Sequence, residues 1–227
     1  MTSRSPSHVR FFWAIGIITA STGCGGSAKL DVEAGMGPHP ELPPPSSSII
    51  PTVQVAEAIR WSAGAMPTAA PGTSVNAFAS GLDHPRWLHV LPNGDVLVAE
   101  TNAPPRPEDG KGIKGWFMKR YMKKAGAAVP SANRITLLRD VDGDGVAEVR
   151  TTFLRGLNSP FGMALVGNSF YVANADALVR FVYDSGVTEI TNPPTKVADL
   201  PGGSINHHWT KGLIASADGR KLYVSVG

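Results

Sequence analysis

The chain has 227 residues, which is enough for one domain and a preceding leader. Charged residues make up only 17%, and 25 glycines and 19 prolines indicate many turns, so the composition favours an all-β fold over a helical one. The net charge is +3 and much of the positive excess lies in one segment, which argues against a nucleic-acid-binding surface. The single cysteine excludes an internal disulfide.

Residues 1–24 are typical of a bacterial lipoprotein signal. Arg4 and Arg10 precede a run of ten largely apolar residues, 11–20, which is too short for a membrane-spanning helix. Small residues then lead to Cys24. We expect Cys24 to be acylated and to anchor an exported protein at the periplasmic side of the outer membrane, because no aspartate follows it as a signal for inner-membrane retention. The alternative is an ordinary secretory signal with an incidental cysteine.

Residues 25–50 predict a flexible tether, because a Gly-, Pro- and Ser-rich composition cannot bury a core. The folded domain is therefore expected in residues 51–227. Its first part is ambiguous, since residues 54–61 are compatible with one short helix or with an opening strand.

From Gly81 onward the chain repeats a strand, a turn and a strand three times, in residues 81–100, 156–174 and 202–225. The turns contain glycine next to asparagine or aspartate. Such pairs supply the positive φ angles that tight β-hairpins need. The repeats therefore predict antiparallel strands joined by short turns.

The spacing of the repeats indicates propeller blades. Val98, Val172 and Val224 occupy matching positions and lie 74 and 52 residues apart, and removal of the 27-residue insert 104–130 shortens the first spacing to 47. Repeats of about 40–50 residues, each a four-stranded sheet, are typical of β-propellers. We predict an all-β fold, a β-propeller with about three blades in this chain and a short helical insert. Closed propellers have about four to eight blades, so we expect residues 51–227 to be the N-terminal part of one.

The insert carries a predicted helix at residues 111–124, in which bulky apolar residues mix with lysine and arginine. Two functional interpretations are a lid over the propeller face and a helix on a membrane surface. A third interpretation, a solvated helix whose aromatic residues pack on neighbouring blades, needs no function. We favour packing or a lid, since Cys24 already accounts for anchoring.

Residues 140–145 have the D-x-D-x-D-G pattern that begins a calcium loop. Alternate carboxylates can surround a hard cation, and the glycine permits the sharp turn. Thr151 replaces the usual glutamate at the twelfth position. The candidate metal ligands are Asp140, Asp142, Asp144 and Glu148. The alternative is an acidic hairpin turn without metal, and a Ca²⁺ ion here would be structural because the loop connects two strands of one blade.

Residues 132–140, 156–163 and 171–174 together resemble the glucose/sorbosone dehydrogenase family, in particular its L-sorbosone dehydrogenase branch. The similarity extends from about Phe78 to the end of the chain. The resemblance implies a six-bladed propeller that binds pyrroloquinoline quinone (PQQ) over its central face, with Ca²⁺ polarising the quinone. It also implies oxidation of an aldose or an L-sorbosone-type sugar, with electrons passed to a membrane or artificial acceptor.

The resemblance also assigns roles near the C-terminal histidine pair. It implies that His208 is the catalytic base, since a neutral imidazole can take the proton of a substrate hydroxyl. His207 and Lys211 are candidate cofactor contacts. The chain departs from the family where His207 replaces an aspartate and where Trp209 and Gly212 replace a glutamine and an arginine. The family's main PQQ- and calcium-binding residues come from later blades, so we expect this chain alone to be an incomplete enzyme.

Other interpretations of the histidines stay open. Without the resemblance, His208 is better explained as a structural histidine bonded to a neighbouring backbone group, and we expect structural roles for His84 and His89. If residues 205–209 are extended, His207 and His208 face opposite sides, and only one can point to the propeller axis.

Two other functional classes also stay open. A metal-dependent sugar lactonase would hold one divalent ion on the axis, with Glu100, Asn158 and Asn174 as the candidate ligands. The remaining class is a propeller that displays a binding surface and catalyses nothing. Hydrolysis with a bare metal ion distinguishes the lactonase from the dehydrogenase.

Overall fold

The computed structural model describes residues 30–43, 55–59, 61–62, 64–107, 111–203 and 205–226. The predicted signal with Cys24 lies outside these residues. The chain divides into two compact units, Met1–Gln54 and Val55–Gly227. In the described part of the first unit, Val32–Gly35 forms a short 3₁₀ helix with no buried side chain. Among the described residues, no helix is long and apolar enough to cross a membrane.

The regular elements in the described part of the second unit are strands and one helix. Residues 55–59, 61–62 and 64–84 contain neither, so the short helix or opening strand considered for this segment is absent from its described residues. The elements follow in this order: β1 (Pro85–Val90), β2 (Val96–Glu100), α1 (Gly112–Lys124), β3 (Arg134–Arg139), β4 (Val149–Leu154), β5 (Met163–Val166), β6 (Ser169–Ala173), β7 (Ala177–Val182), β8 (Thr195–Asp199), β9 (Leu213–Ala215) and β10 (Leu222–Val224).

Consecutive strands pair antiparallel, as they do in propeller blades. β1–β4 form one four-stranded sheet (blade 1), β5–β8 form another (blade 2), and β9–β10 form a two-stranded sheet (blade 3). The turns at Gly94 and Gly219 have φ angles of 89° and 69°, a region that favours glycine. The prediction of an all-β, propeller-like fold with a helical insert is confirmed: the described residues hold two four-stranded blades and two strands of a third.

Blades 1 and 2 pack face to face through alternating apolar side chains. Leu97 and Ala99 of β2 and Val172 of β6 are fully buried in this shared core. Alternation is expected because successive side chains of a strand point to opposite faces of the sheet. Phe153 of β4 meets Phe170 of β6 edge to face, with ring centroids 5.5 Å apart and planes at 90°. This packing holds the two sheets together.

Blades 2 and 3 meet in a second apolar cluster that includes small residues. Ala164 and Ala173 of blade 2 are buried in one cluster with Leu213 of β9. At the start of β5, the Gly162 amide donates to the Lys211 carbonyl oxygen at 3.0 Å. A Cβ atom on Gly162 would lie 2.3 Å from the Leu213 nitrogen, so this contact requires glycine.

The antiparallel order places alternate connections at opposite ends of each blade. We call one end the loop edge; it carries the described residues 101–107, 111–133, 155–162, 174–176, 200–203 and 205–212. The other end, the hairpin edge, carries residues 91–95, 140–148, 167–168, 183–194 and 216–221. The Leu157 amide donates to the Asn133 carbonyl oxygen at 3.0 Å, which joins the loop edges of blades 1 and 2. The loop edges of successive blades therefore lie side by side.

Helix α1 lies in the β2–β3 connection at the loop edge, and most of its large side chains are in solvent. Trp116 is 59% exposed, Phe117 is 48% exposed and Tyr121 is 39% exposed. The interpretation that these aromatic residues pack on neighbouring blades is therefore wrong for the part of the chain that the structure describes. The helix is held at its C-terminal end and not by its aromatic face.

We expect Gly162→Ala to destabilise the protein by about 1–3 kcal/mol, because the added methyl group would force β5 and β9 apart. The measurement is the free energy of unfolding in urea. Gly203→Ala is the matched control, since no atom lies within 4 Å of the position that its Cβ would take. We expect a change below about 0.5 kcal/mol in the control. Equal stability of the two variants would contradict the close contact between β5 and β9.

Candidate functional site

A cavity of about 240 Å³ lies at the loop edge, where connections from all three blades meet. Its polar lining comes from four connections: Arg106 from β2–β3, Asn158 from β4–β5, Asp176 from β6–β7 and Asn206 from β8–β9. Prolines, glycines and one alanine complete the wall. Guanidinium, carboxylate and amide groups together can bind a hydroxylated or an anionic ligand.

Backbone and side-chain hydrogen bonds hold the cavity walls in place. The Ala175 amide donates to the Asn158 carbonyl oxygen at 2.9 Å. The Asn206 side-chain amide donates to the Ala175 carbonyl oxygen at 3.0 Å. These bonds join the β4–β5, β6–β7 and β8–β9 connections, so the polar groups are positioned before a ligand arrives.

The histidine pair lies in the β8–β9 connection beside the cavity. His207 and His208 form a turn in which the His207 amide donates to the Ile205 carbonyl oxygen at 3.0 Å. The extended conformation considered from the sequence is therefore not adopted around the pair. Arg106 Nη1 and His207 Nδ1 are 3.0 Å apart, so the pair contacts the cavity wall. The His208 side chain is exposed.

Lys211 is oriented inward and does not face solvent. The residue is only 1% exposed, and its ammonium group donates to the His208 carbonyl oxygen at 2.8 Å. A ligand at the loop edge would therefore meet Lys211 only through His208. The structure places this candidate cofactor contact behind the histidine pair.

An aromatic row near the inner strands escaped the sequence reasoning. The Trp87 and Phe161 rings have centroids 5.0 Å apart, and Phe161 meets Trp209 edge to face at 6.3 Å. The Arg86 guanidinium lies 5.6 Å from the centre of the Trp209 ring, within cation–π range. Trp87 lies near the start of β1, Phe161 precedes β5 and Trp209 precedes β9, the first strand of each blade. Blade stacking therefore brings the three rings together.

Arg106 also escaped the sequence reasoning, although it links the cavity to the histidine pair. It lies in the proline-rich stretch 104–107, where neither charge nor spacing marks it as a site residue. The flanking Pro105 and Pro107 are the only local signal, since they restrict the backbone on both sides.

Glu100 is fully buried and bound on both of its oxygens. Arg134 donates to Oε1 at 3.0 Å and to Oε2 at 2.8 Å, Thr136 donates to Oε1, and the Asp83 amide donates to Oε2. Burial alone would raise the pKa of the Glu100 carboxyl, but these hydrogen bonds together lower it below its ordinary value. Glu100 is thus a charged structural centre of blade 1.

The candidate lactonase ligands are not assembled as a metal site. Glu100 has four hydrogen-bond donors on its carboxylate, which leaves no oxygen lone pair for a cation. Asn158 and Asn174 lie close to each other, since the Asn158 amide and Asn174 Oδ1 are 3.4 Å apart. The two asparagines lie in the β4–β5 and β6–β7 connections at the loop edge. The Glu100 carboxylate is instead bound by Arg134 within blade 1.

The two histidines of the first repeat have structural surroundings. His84 Nε2 lies 3.2 Å from the Gly126 carbonyl oxygen, which can only accept, so His84 donates. His89 packs edge to face on Phe170 with centroids 5.9 Å apart. Burial lowers the pKa of His89 below its ordinary value of 6.5.

The acidic turn lies at the hairpin edge, opposite the cavity. One oxygen from each of its four carboxylates lies within 4.8 Å of the others. The same carboxylates also bind the backbone: Asp140 accepts from the Gly143 amide at 2.7 Å and from the Gly145 amide at 2.9 Å, and Glu148 accepts from the Val141 amide at 2.7 Å. The turn is thus shaped by its own hydrogen bonds, with carboxylates gathered as a cation would need.

Stacked four-stranded antiparallel blades with a polar cavity at one edge define an all-β, propeller-like protein. The chain belongs to the family described as a domain of unknown function (DUF7133), whose family model matches residues 92–219. Among solved structures, the holo form of the pyranose dehydrogenase PQQ domain from Coprinopsis cinerea matches with a TM-score of 0.45 and 17% identity over 66% of this chain. The chain spans 29% of the length of that structure. No curated protein matches the chain.

We expect the stability of the protein to fall in two steps as the pH is lowered. The pKa of His89 is lowered by burial, so its contribution is present above 6.5 and is lost as the pH falls from there. Hydrogen bonds from Arg139 and Arg134, respectively, lower the pKa values of Asp95 and Glu100 against the effect of burial. Their contribution is present above 4.5 and is lost as the pH falls through the lowered values. The measurement is the thermal midpoint against pH.

Substitutions show which residue causes each of the two falls in stability. We expect His89→Phe to remove the upper step and Glu100→Gln to reduce the lower one. Asp199→Asn is the control, because Asp199 and Lys196 form an exposed ion pair that contributes little. A lower step of unchanged size in Glu100→Gln would show that the buried ion pair is not responsible for acid sensitivity.

Proposed function

We propose that the loop edge forms part of the active site of a PQQ-dependent oxidoreductase acting on an aldose or an L-sorbosone-type sugar. The resemblance of residues 132–140, 156–163 and 171–174 to glucose/sorbosone dehydrogenases supports the reaction class. The observation that carries the proposal is the contact of Arg106 with His207, since it joins the histidine loop to a polar cavity.

The same contact distinguishes the two histidines. A guanidinium group has only donors, so Nδ1 of His207 accepts the hydrogen bond from Arg106. A neutral His207 ring then carries its proton on Nε2 and acts there as a donor. His208 is exposed next to it. We therefore assign the base to His208 and a cofactor contact to His207.

Lys211 supports this assignment from beneath the loop. Its ammonium group holds the His208 carbonyl oxygen at 2.8 Å from the buried side. Because the lysine is 1% exposed, it acts on the position of His208 and not on a ligand. The aromatic contact of Phe161 with Trp209 holds the next residue of the same loop.

The hydrogen-bond donors at the cationic side of the cavity fit PQQ, which carries carboxylate groups. Arg106 can bind a carboxylate of PQQ through charge-assisted hydrogen bonds, with His207 Nε2 as a further donor. Asp176 and Asn158 are suited to sugar hydroxyls. PQQ, when bound, supplies a quinone that accepts hydride. His208 takes the proton of the substrate hydroxyl, and the hydrogen-bonded loop walls orient the sugar.

We propose that Ca²⁺ at the acidic turn has a structural role. Asp140, Asp142, Asp144 and Glu148 would bind it at the hairpin edge. The six residues of β3 separate this edge from the loop edge by about 17 Å. An ion there would stabilise the β3–β4 connection and would not reach a ligand in the cavity.

The cellular setting is proposed from sequence. Acylation of Cys24 would hold the protein at the periplasmic side of the outer membrane, and further blades would complete a six-bladed propeller. The electron acceptor would then be a membrane or periplasmic redox partner.

The experiment that tests the function uses the protein expressed from its whole reading frame, reconstituted with PQQ and Ca²⁺. Dye reduction is measured with L-sorbosone and common aldoses. We expect His208→Ala to lower kcat/KM by about 100-fold to 10,000-fold, because it removes the general base. The fold should be unchanged, since the side chain is exposed.

His39→Ala is the control, because His39 is an exposed histidine of the first unit. We expect it to keep the activity of the parent protein. Absence of PQQ binding would refute the proposal. Hydrolysis of sugar lactones with a bare divalent metal ion would replace it with the lactonase function.

A further inference from the structure

Helix α1 is presented to solvent from a rigid base. The buried Asn102 side chain donates to the Val129 carbonyl oxygen at 2.6 Å and to the Ala127 carbonyl oxygen at 3.1 Å. His84 bonds the Gly126 carbonyl oxygen at 3.2 Å. The segment that follows the helix is thereby attached to the loop edge of blade 1. The helix keeps its place although its own side chains stay outside the core.

The apolar side chains of this helix are numerous and accessible. Large apolar groups in water are unfavourable, so a cluster of them on one element indicates a binding surface. The exposed fractions are 80% for Ile113, 59% for Trp116, 48% for Phe117, 54% for Met118, 39% for Tyr121 and 39% for Met122.

The same helix carries a concentrated positive charge. Residues 112–124 contain four lysines, one arginine and no acidic residue, which gives +5. The rest of the chain has 16 basic residues, from 21 − 5, against 18 acidic ones, which gives −2. The positive charge of the whole protein is thus due to α1, and this charge favours contact with a negative surface.

We propose that α1 docks the loop edge of blade 1 on an anionic lipid bilayer. Tryptophan, phenylalanine and tyrosine bind at the boundary between headgroups and acyl chains, while lysine and arginine bind anionic headgroups. Long lysine side chains can cover apolar groups and still reach the headgroups. An acidic protein partner fits less well, because lysine is depleted from protein–protein interfaces.

Docking on a bilayer would also orient the cavity. Arg106 and α1 belong to the same β2–β3 connection, so both lie at the loop edge. The loop edge would face the bilayer, and the acidic turn at the hairpin edge would face away from it. This orientation keeps the carboxylates of the turn away from anionic headgroups.

The test uses the full chain with a fluorophore on α1. Met118→Cys in a Cys24→Ser background provides one labelling site, because Cys24 is the single cysteine. We expect a blue shift of the label with vesicles of phosphatidylglycerol and phosphatidylcholine, no shift with phosphatidylcholine alone, and loss of the shift at high salt. A label at Val197→Cys on the exposed β8 strand should not respond. The readout is local to α1, so membrane contact of residues 1–24 does not produce it.

Charge variants give the quantitative test. We expect Lys119→Gln with Lys123→Gln to weaken vesicle binding about 25-fold, because each cation near an anionic surface contributes about a factor of five. Arg180→Gln with Lys221→Gln removes the same charge from exposed positions of blades 2 and 3 and should change binding less than about twofold. Equal losses in the two pairs would refute the proposal. A shift that depends on protein concentration without vesicles would refute it in favour of self-association.

Discussion

Burial of the two apolar faces of a four-stranded sheet is the constraint on which this structure depends. A lone sheet of this size cannot cover both faces, so blades must stack. Phe153 and Phe170 join blades 1 and 2, and small residues around Gly162 allow blade 3 to approach. Stacking in this order sets the inner strands side by side. The positions of all longer connections then follow, because antiparallel strands return them alternately to one edge or the other.

The candidate site is a consequence of that arrangement. Four connections supply one polar residue each to the cavity, and the histidine pair reaches the cavity through Arg106. No single blade contains such a constellation. The acidic turn, by contrast, belongs to the hairpin edge, where it connects β3 to β4 and accepts hydrogen bonds from Asn76. Loops on a rigid scaffold commonly carry function, and here the two edges carry different sets of polar residues.

Helix α1 adds a surface that blade packing does not require. The segment that follows its C-terminal end is bound to the blade through Asn102 and His84, while its aromatic side chains stay in solvent. The fold therefore tolerates the insert without using it as core. This separation explains why one connection can hold both the cavity residue Arg106 and a helix with exposed aromatic side chains.

Much of the fold follows from the sequence, because hairpins depend on local signals. The repeated strand–turn–strand pattern and its glycine turns indicated the strands around Val98, Val172 and Val224, and the run of bulky and basic residues indicated the helix. The acidic turn and the histidine pair were also visible as local motifs. Their environments were not visible, because contacts between distant residues depend on blade packing.

The tertiary structure alone decided how those residues meet. Arg106 and His207 are 101 residues apart in sequence, and only stacking brings their side chains to 3.0 Å. The inward direction of Lys211 and the full engagement of Glu100 likewise depend on neighbours from other strands. The exposure of Trp116 could not be read from the sequence of the helix, because a packed helix and an exposed helix can have the same pattern of residues. Sequence thus determined the elements and their turns, whereas the tertiary structure decided which side chains are buried, paired or left for a partner.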